Sequence, residues 1–132
     1  MQEQIKEAIA RAKDLIAIEF EGVLIENAPV DTGFLKNNIH MQITDKGFSI
    51  KMPKYAYYTE FGYPAGTMPN VEALKGWSRR VLGDESLAWA VAMSIKQNGT
   101  KPQYWIREAF HRRFKEIAIK HIERELNKIY QQ

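Results

Sequence analysis

The chain has 132 residues, 45% hydrophobic and 27% charged, with a formal net charge of +3. This is the composition of one globular domain with one core, and no apolar run approaches the ~18 residues that a bilayer span needs. Cysteine is absent, which removes disulfides, thiol catalysis and cysteine-ligated zinc. The N-terminal stretch MQEQIKEAIARAKD is mixed in charge and lacks the apolar centre of a secretory signal, so the expectation is a single domain, residues 1–132, made in a cytoplasm.

From Gln4 to Glu26, apolar residues recur at spacings of three and four: Ile5, Ile9, Ala12, Ile16, Phe20 and Val23. That places them on one stripe of a long amphipathic helix. Ala28-Pro29 ends it, because the residue before proline is pushed out of the helical region. After Leu35 the period becomes two. Ile39, Met41 and Ile43 alternate with polar residues, and so do Phe48, Ile50 and Met52. The intervening Thr44-Asp45-Lys46-Gly47 reads as a turn with glycine free to take positive φ, which predicts a β-hairpin.

The segment KYAYYTEFGYPAGTMPN (Lys54 to Asn70) is rich in aromatic residues and too short for periodicity to choose between helix and strand. Asn70 is a suitable cap for a helix from Val71 to Leu82, with Val71, Leu74, Trp77 and Val81 as its apolar face and Gly83 as its stop. Asp84 caps the next helix, whose stripe is Leu87, Ala88, Val91, Ala92 and Ile95, and Gly99 ends that one. Pro102 marks the start of a last long helix carrying Ile106, Phe110, Phe114, Ile117, His121, Ile122, Leu126 and Ile129. The predicted class is α+β: long N- and C-terminal helices packed on a small antiparallel sheet, with an inserted helical pair.

Asp31-Thr32-Gly33 spells the catalytic tripeptide of aspartic proteases. That chemistry needs two facing aspartates sharing one proton, which a short chain supplies by dimerising. Those enzymes are nearly all strand, whereas Asp31 here follows a long helix and precedes Phe34 rather than a small residue. The alternative is structural: an aspartate accepts backbone N–H bonds two and three residues on, so Asp31, Thr32 and Gly33 make a turn and Leu35 drops into the core. On this reading Asp31→Asn changes stability by ~1 kcal/mol or less in urea denaturation. Loss of a specific peptidase activity in that variant would favour the dimeric protease.

His111 and His121 lie ten apart, not at the spacing of a zinc pair, and no serine elbow, P-loop or dinucleotide glycine pattern occurs. The residues therefore point to no catalytic set, no metal and no cofactor. The tyrosine-rich segment has one basic neighbour, Lys54, so packing and interface contact are favoured over base stacking. Arg107, Arg112 and Arg113 form a basic stripe on the last helix that faces solvent, a subunit or DNA phosphates.

Three segments, in order, resemble a family of tailed-phage and prophage tail-component proteins of the head–tail joining or tail-completion type. They are APVDTGFLKNNI (Ala28 to Ile39), YAYYTEFGY (Tyr55 to Tyr63) and NGTKPQYWIREAF (Asn98 to Phe110). Within them, Lys36 stands where arginine is common, Tyr63 where threonine is usual, and Tyr104-Trp105 where the family has proline and an aromatic. The resemblance implies a structural role in the virion neck or tail, after synthesis in the host bacterial cytoplasm. The implied partners are connector, tail-terminator or tail-tube proteins and further copies of the chain in a ring, with DNA contact at most non-specific and no membrane. It implies a second signature of Tyr55, Tyr58, Glu60, Phe61 and Gly62, with Glu60 bonded to backbone or to a basic partner and the aromatics packed. A DNA-contacting accessory module is the alternative.

Overall fold

The computed structural model describes residues 1–29 and 33–131, without the side chains of Phe34 and Tyr55. Helix α1 (Gln2–Asn27) has 26 residues, a length of about 39 Å at 1.5 Å per residue. It ends as expected: Ala28, before Pro29, is extended at φ −64° and ψ 143°. Its buried face is Ala8, Ala12, Ile16, Ala17, Phe20, Val23 and Leu24. Ile9, expected on that face, is 49% exposed.

Asp31 and Thr32, and the turn they were expected to make, lie outside the described residues. Gly33 has φ 82° and precedes a short helix, α2 (Phe34–Asn37). Leu35 is fully buried as expected, but on this helical turn and not at the start of a strand. Strands β1 (His40–Thr44) and β2 (Gly47–Lys51) form the hairpin, paired from His40 with Lys51 to Thr44 with Gly47 around Asp45-Lys46. Gly47 pairs as the first residue of β2 and is not among the positive-φ glycines. Helix α1 covers the outer edge of β1: the Met41 N–H donates to Glu21 Oε2 at 2.6 Å, and Lys13 donates to the Thr44 carbonyl. An otherwise open strand edge is thereby part-satisfied by side chains.

The tyrosine-rich segment is helical, α3 (Tyr55–Phe61). Asn70 caps α4 (Val71–Trp77) by accepting from the Glu72 N–H at 3.0 Å. The helix continues into a wider π turn (Ser78–Leu82), and Asp84 then caps a 3₁₀ turn (Glu85–Leu87) leading into α5 (Ala88–Asn98). The last helical segment begins three residues later than Pro102, with α6 (Trp105–Ala109), a π turn (Phe110–Phe114) and α7 (Lys115–Tyr130).

Two hydrophobic clusters result. The main one joins α1, α2, the hairpin, α6 and α7 through Phe20, Leu24, Leu35, Ile39, Trp105, Ala109 and Ile117. Phe20 is its centre, with ring centroids 4.6 Å from Phe110 and 5.2 Å from Phe114, and Phe48 lies 6.3 Å from Phe114. The helical pair α4–α5 has a smaller cluster of its own around Leu74, Ala88 and Ala92. Val81 and Leu87, expected on its apolar faces, are exposed. Among the described residues, no helix is long and apolar enough to cross a membrane.

Candidate functional site

The second and third of the segments singled out in the sequence meet in space. Glu60, near the end of α3, is 2% exposed, and its carboxylate accepts from the Ile106 N–H at 2.6 Å and the Arg107 N–H at 3.0 Å. These amides belong to the first turn of α6, where helix geometry leaves N–H groups without partners. Beside it, the Trp105 indole N–H donates to Thr59 Oγ at 3.0 Å, and Thr59 Oγ donates to the Ala56 carbonyl at 2.7 Å. The backbone joins too: the Gln103 N–H donates to the Thr59 carbonyl, and the Tyr104 N–H to the Glu60 carbonyl. Glu60 thus bonds backbone, one of the two partners expected for it.

Two glycines allow this closeness. Tyr63 and Thr100 exchange backbone hydrogen bonds at 3.2 and 2.9 Å. Gly62, at φ 73°, lies where a Cβ would sit 2.5 Å from the Thr100 carbonyl oxygen, and at Gly99, φ 68°, a Cβ would sit 2.7 Å from the Tyr63 carbonyl oxygen. Neither separation is tolerable for a side chain, and neither φ suits one.

Tyr104 has φ 52°, the one non-glycine residue with positive φ among those described. It occupies the position where the resembled family has proline, whose ring holds φ near −65°. The Arg107 guanidinium lies 3.6 Å from the Tyr104 ring centroid, a cation–π contact over the turn. Tyr104→Pro is expected to destabilise the fold by about 2 kcal/mol, because it forces φ and deletes the N–H bonded to Glu60. Urea denaturation of the variant beside the parent measures this.

The remaining sequence-derived site residues divide. Tyr58 is half-buried, with its ring 5.1 Å from that of Tyr63 in an edge-on contact. Phe61, expected to pack, is 66% exposed, because a seven-residue helix held on one side by Glu60 turns its next residue outward. The side chain of Tyr55 lies outside the described set. Arg107, Arg112 and Arg113 are exposed, and Arg112 pairs with Glu108 at 3.0 Å. No family model, curated protein or solved structure matches the chain.

A second polar group, between α1 and α7, went unread in the sequence. Glu19 accepts from Lys120 Nζ at 2.6 and 2.9 Å and from His121 Nε2 at 2.9 Å. Nδ1 of His121 is buried with no hydrogen-bond partner among the described residues, and Nε2, facing a carboxylate, is the donor. About one turn further along α7, buried Glu125 accepts from Arg11 and Lys128, each at 2.9 Å. The hydrogen bond from Lys120, then that from His121, hold Glu19 below its ordinary value of 4.5. Lys128, then Arg11, do the same for Glu125. A carboxyl with a lowered folded pKa adds stability that is full above its unfolded value and is lost as pH falls through the folded one. Stability in urea is therefore expected to drop below about pH 4.5, and Glu19→Gln should flatten that drop. The missed signal is the run Ile117, His121, Glu125, which carries the buried stripe on at intervals of four.

Between the α3–α6 joint and the helical pair lies a cleft of ≈ 400 Å³, lined by Tyr58, Tyr63, Trp77, Val91, Ser94 and Lys101 among others. Its walls are largely aromatic and aliphatic, with Lys101 as the cationic group.

Proposed function

We propose that the chain is a virion structural protein of the head–tail joining or tail-completion type, acting through subunit contacts in the neck or tail of a phage or prophage particle. The observation that carries this reading is the joint between α3 and α6. The segments Tyr55–Tyr63 and Asn98–Phe110, which carry the family resemblance, are the two whose residues need one another. Glu60 bonds the start of α6, and Gly62 and Gly99 allow the backbones to touch. A contact of this kind restricts the residue types at those positions, and this supports reading the likeness there as more than chance spelling. The exposed Tyr57, Phe61 and Trp89 are large apolar groups of the kind that subunit contacts use.

The test is genetic and structural. Deleting the gene from the phage or prophage that carries it should leave DNA-filled heads and tails unjoined, or tails unfinished, by electron microscopy. The protein should be found by mass spectrometry in purified particles. Normal particles without the protein would overturn the reading, and neighbouring genes for portal, capsid and major tail protein would support it. The DNA-contact alternative rests on Arg107, Arg112 and Arg113. If those arginines face DNA in a lumen, neutralising all three should reduce DNA retention, and binding by the isolated chain should weaken steeply with salt. Unchanged assembly and retention would remove that role.

A further inference from the structure

The hairpin leaves one strand edge open. In an antiparallel pair, residues that exchange backbone hydrogen bonds alternate with residues whose backbone groups point away from the partner strand. Met41 turns its N–H to Glu21, away from β2, so Met41 with Ile50 and Ile43 with Phe48 are the outward-pointing pairs. The N–H and carbonyl of Phe48 and of Ile50 therefore project from the free side of β2. None of these backbone groups has a hydrogen-bond partner among the described residues, and the sheet ends at β2. The opposite edge differs, because Glu21 and Lys13 of α1 reach it.

Charge around that edge is one-sided. From His40 to Lys54 the chain carries Lys46, Lys51 and Lys54, with Asp45 as the one carboxylate. The three lysines are exposed, and none is in an ion pair among the described residues. β2 has five residues, about 17 Å of edge at ~3.4 Å per residue. Lys46 stands just before it, Lys51 at its end and Lys54 just beyond. Asp45 can offset its neighbour Lys46, which leaves the far end, Lys51 and Lys54, uncompensated.

We infer that the free edge of β2 takes an extended, acidic segment of another protein as a third strand. Backbone hydrogen bonds to Phe48 and Ile50 hold the segment, and its carboxylates face Lys51 and Lys54. A second copy of this hairpin does not suit the edge. Two β2 edges side by side bring like-charged lysines together, and edge lysines act against such pairing. A two-stranded hairpin is a weak sheet by itself, and a third strand extends its ladder. The contact stands independently of the virion reading, since any partner with such a segment meets the same edge.

Hydrogen exchange followed by NMR on the full chain provides the test, with a capped peptide of about six residues, alternating glutamate and valine, as the probe. In the chain alone, the amides of Gln42 and Ser49, which bond across the ladder, should be protected, and those of Phe48 and Ile50 should exchange faster. Saturating peptide should slow Phe48 and Ile50 by about 10-fold or more and leave α1 unchanged. Replacing the three lysines together (Lys46→Glu, Lys51→Glu, Lys54→Glu) alters exposed side chains and should leave the thermal melt in place. That variant should bind the acidic peptide about 10-fold or more weakly at low ionic strength, and should take instead a peptide with lysine in place of glutamate. Salt at about 0.5 M should weaken binding to the parent chain in the same direction, a check that needs no substitution.

Amides of Phe48 and Ile50 that gain no protection at up to about 5 mM peptide would overturn the inference. Protection that is equally strong in the charge-reversed variant would overturn it as well, because an acidic partner would then have no preference for this edge. Protection that grows with the concentration of the chain alone would assign the edge to a second copy and overturn it too. A chain that pairs with the acidic peptide through β2 yet is absent from particles overturns the virion reading alone. A chain present in particles whose Phe48 and Ile50 amides ignore the peptide overturns only the strand contact.

Discussion

Glu60→Ala is expected to destabilise the protein by about 3 kcal/mol, measured by urea denaturation at pH 7. The carboxylate is buried and satisfies two amides, those of Ile106 and Arg107. Hydrogen bonds to a charged group contribute more than neutral ones, and removing the acceptor leaves both donors without their partner. The two bonds share one carboxylate, so their loss is less than additive. Glu60→Gln keeps one acceptor oxygen and should lose roughly half as much. Hydrogen exchange locates the effect: the amides of Ile106 and Arg107 should lose protection before those of α1. If Glu60→Ala were neutral, the joint would not depend on this cap, and the physical basis offered for the family resemblance would weaken with it.

Phe20→Ala should cost more, about 4 kcal/mol. The side chain is fully buried and its ring touches those of Phe110 and Phe114. Truncation removes the transfer free energy of a phenyl group and leaves a cavity whose walls are two helices and a hairpin, which close on it only in part. Against a total of 5–15 kcal/mol this is a large fraction of the stability. Phe20→Leu, which refills most of the space, should recover more than half of the loss. The denaturation midpoint of each variant gives the comparison. The π turn at Phe110–Phe114 packs against Phe20, so near-ultraviolet circular dichroism of Phe20→Ala should show its aromatic environment altered even where the helical signal persists.

The acid sensitivity expected from Glu19 and Glu125 has another origin. Glu19 with Lys120 and His121, and Glu125 with Arg11, tie the first long helix to the last, while Lys128 pairs with Glu125 within α7. Low pH should therefore loosen the α1–α7 contact, whereas Glu60→Ala opens the α3–α6 joint.

The elements that a single stretch of chain can specify were legible from residue order. Helix α1 follows from three- and four-residue spacing, the hairpin from a change of period to two, and the caps from Asn70 and Asp84. Each of these depends on neighbours a few residues away, so periodicity and side-chain chemistry suffice. The tyrosine-rich segment could not be assigned in that way, because seven residues are too few for a period to show; α3 is held as a helix by its contacts with α6.

Tertiary structure alone decided the rest. It placed Glu60 under the start of α6, 46 residues further along the chain. It moved the beginning of the last helix from Pro102 to Trp105 through the left-handed turn at Tyr104, and it turned Phe61, Val81 and Leu87 outward. It buried Glu125 where Arg11, 114 residues away along the chain, meets it. A local pattern states which faces of an element are apolar. Which apolar face is covered, and which buried carboxylate finds donors, depends on distant segments coming together, and that is settled only when the helices pack.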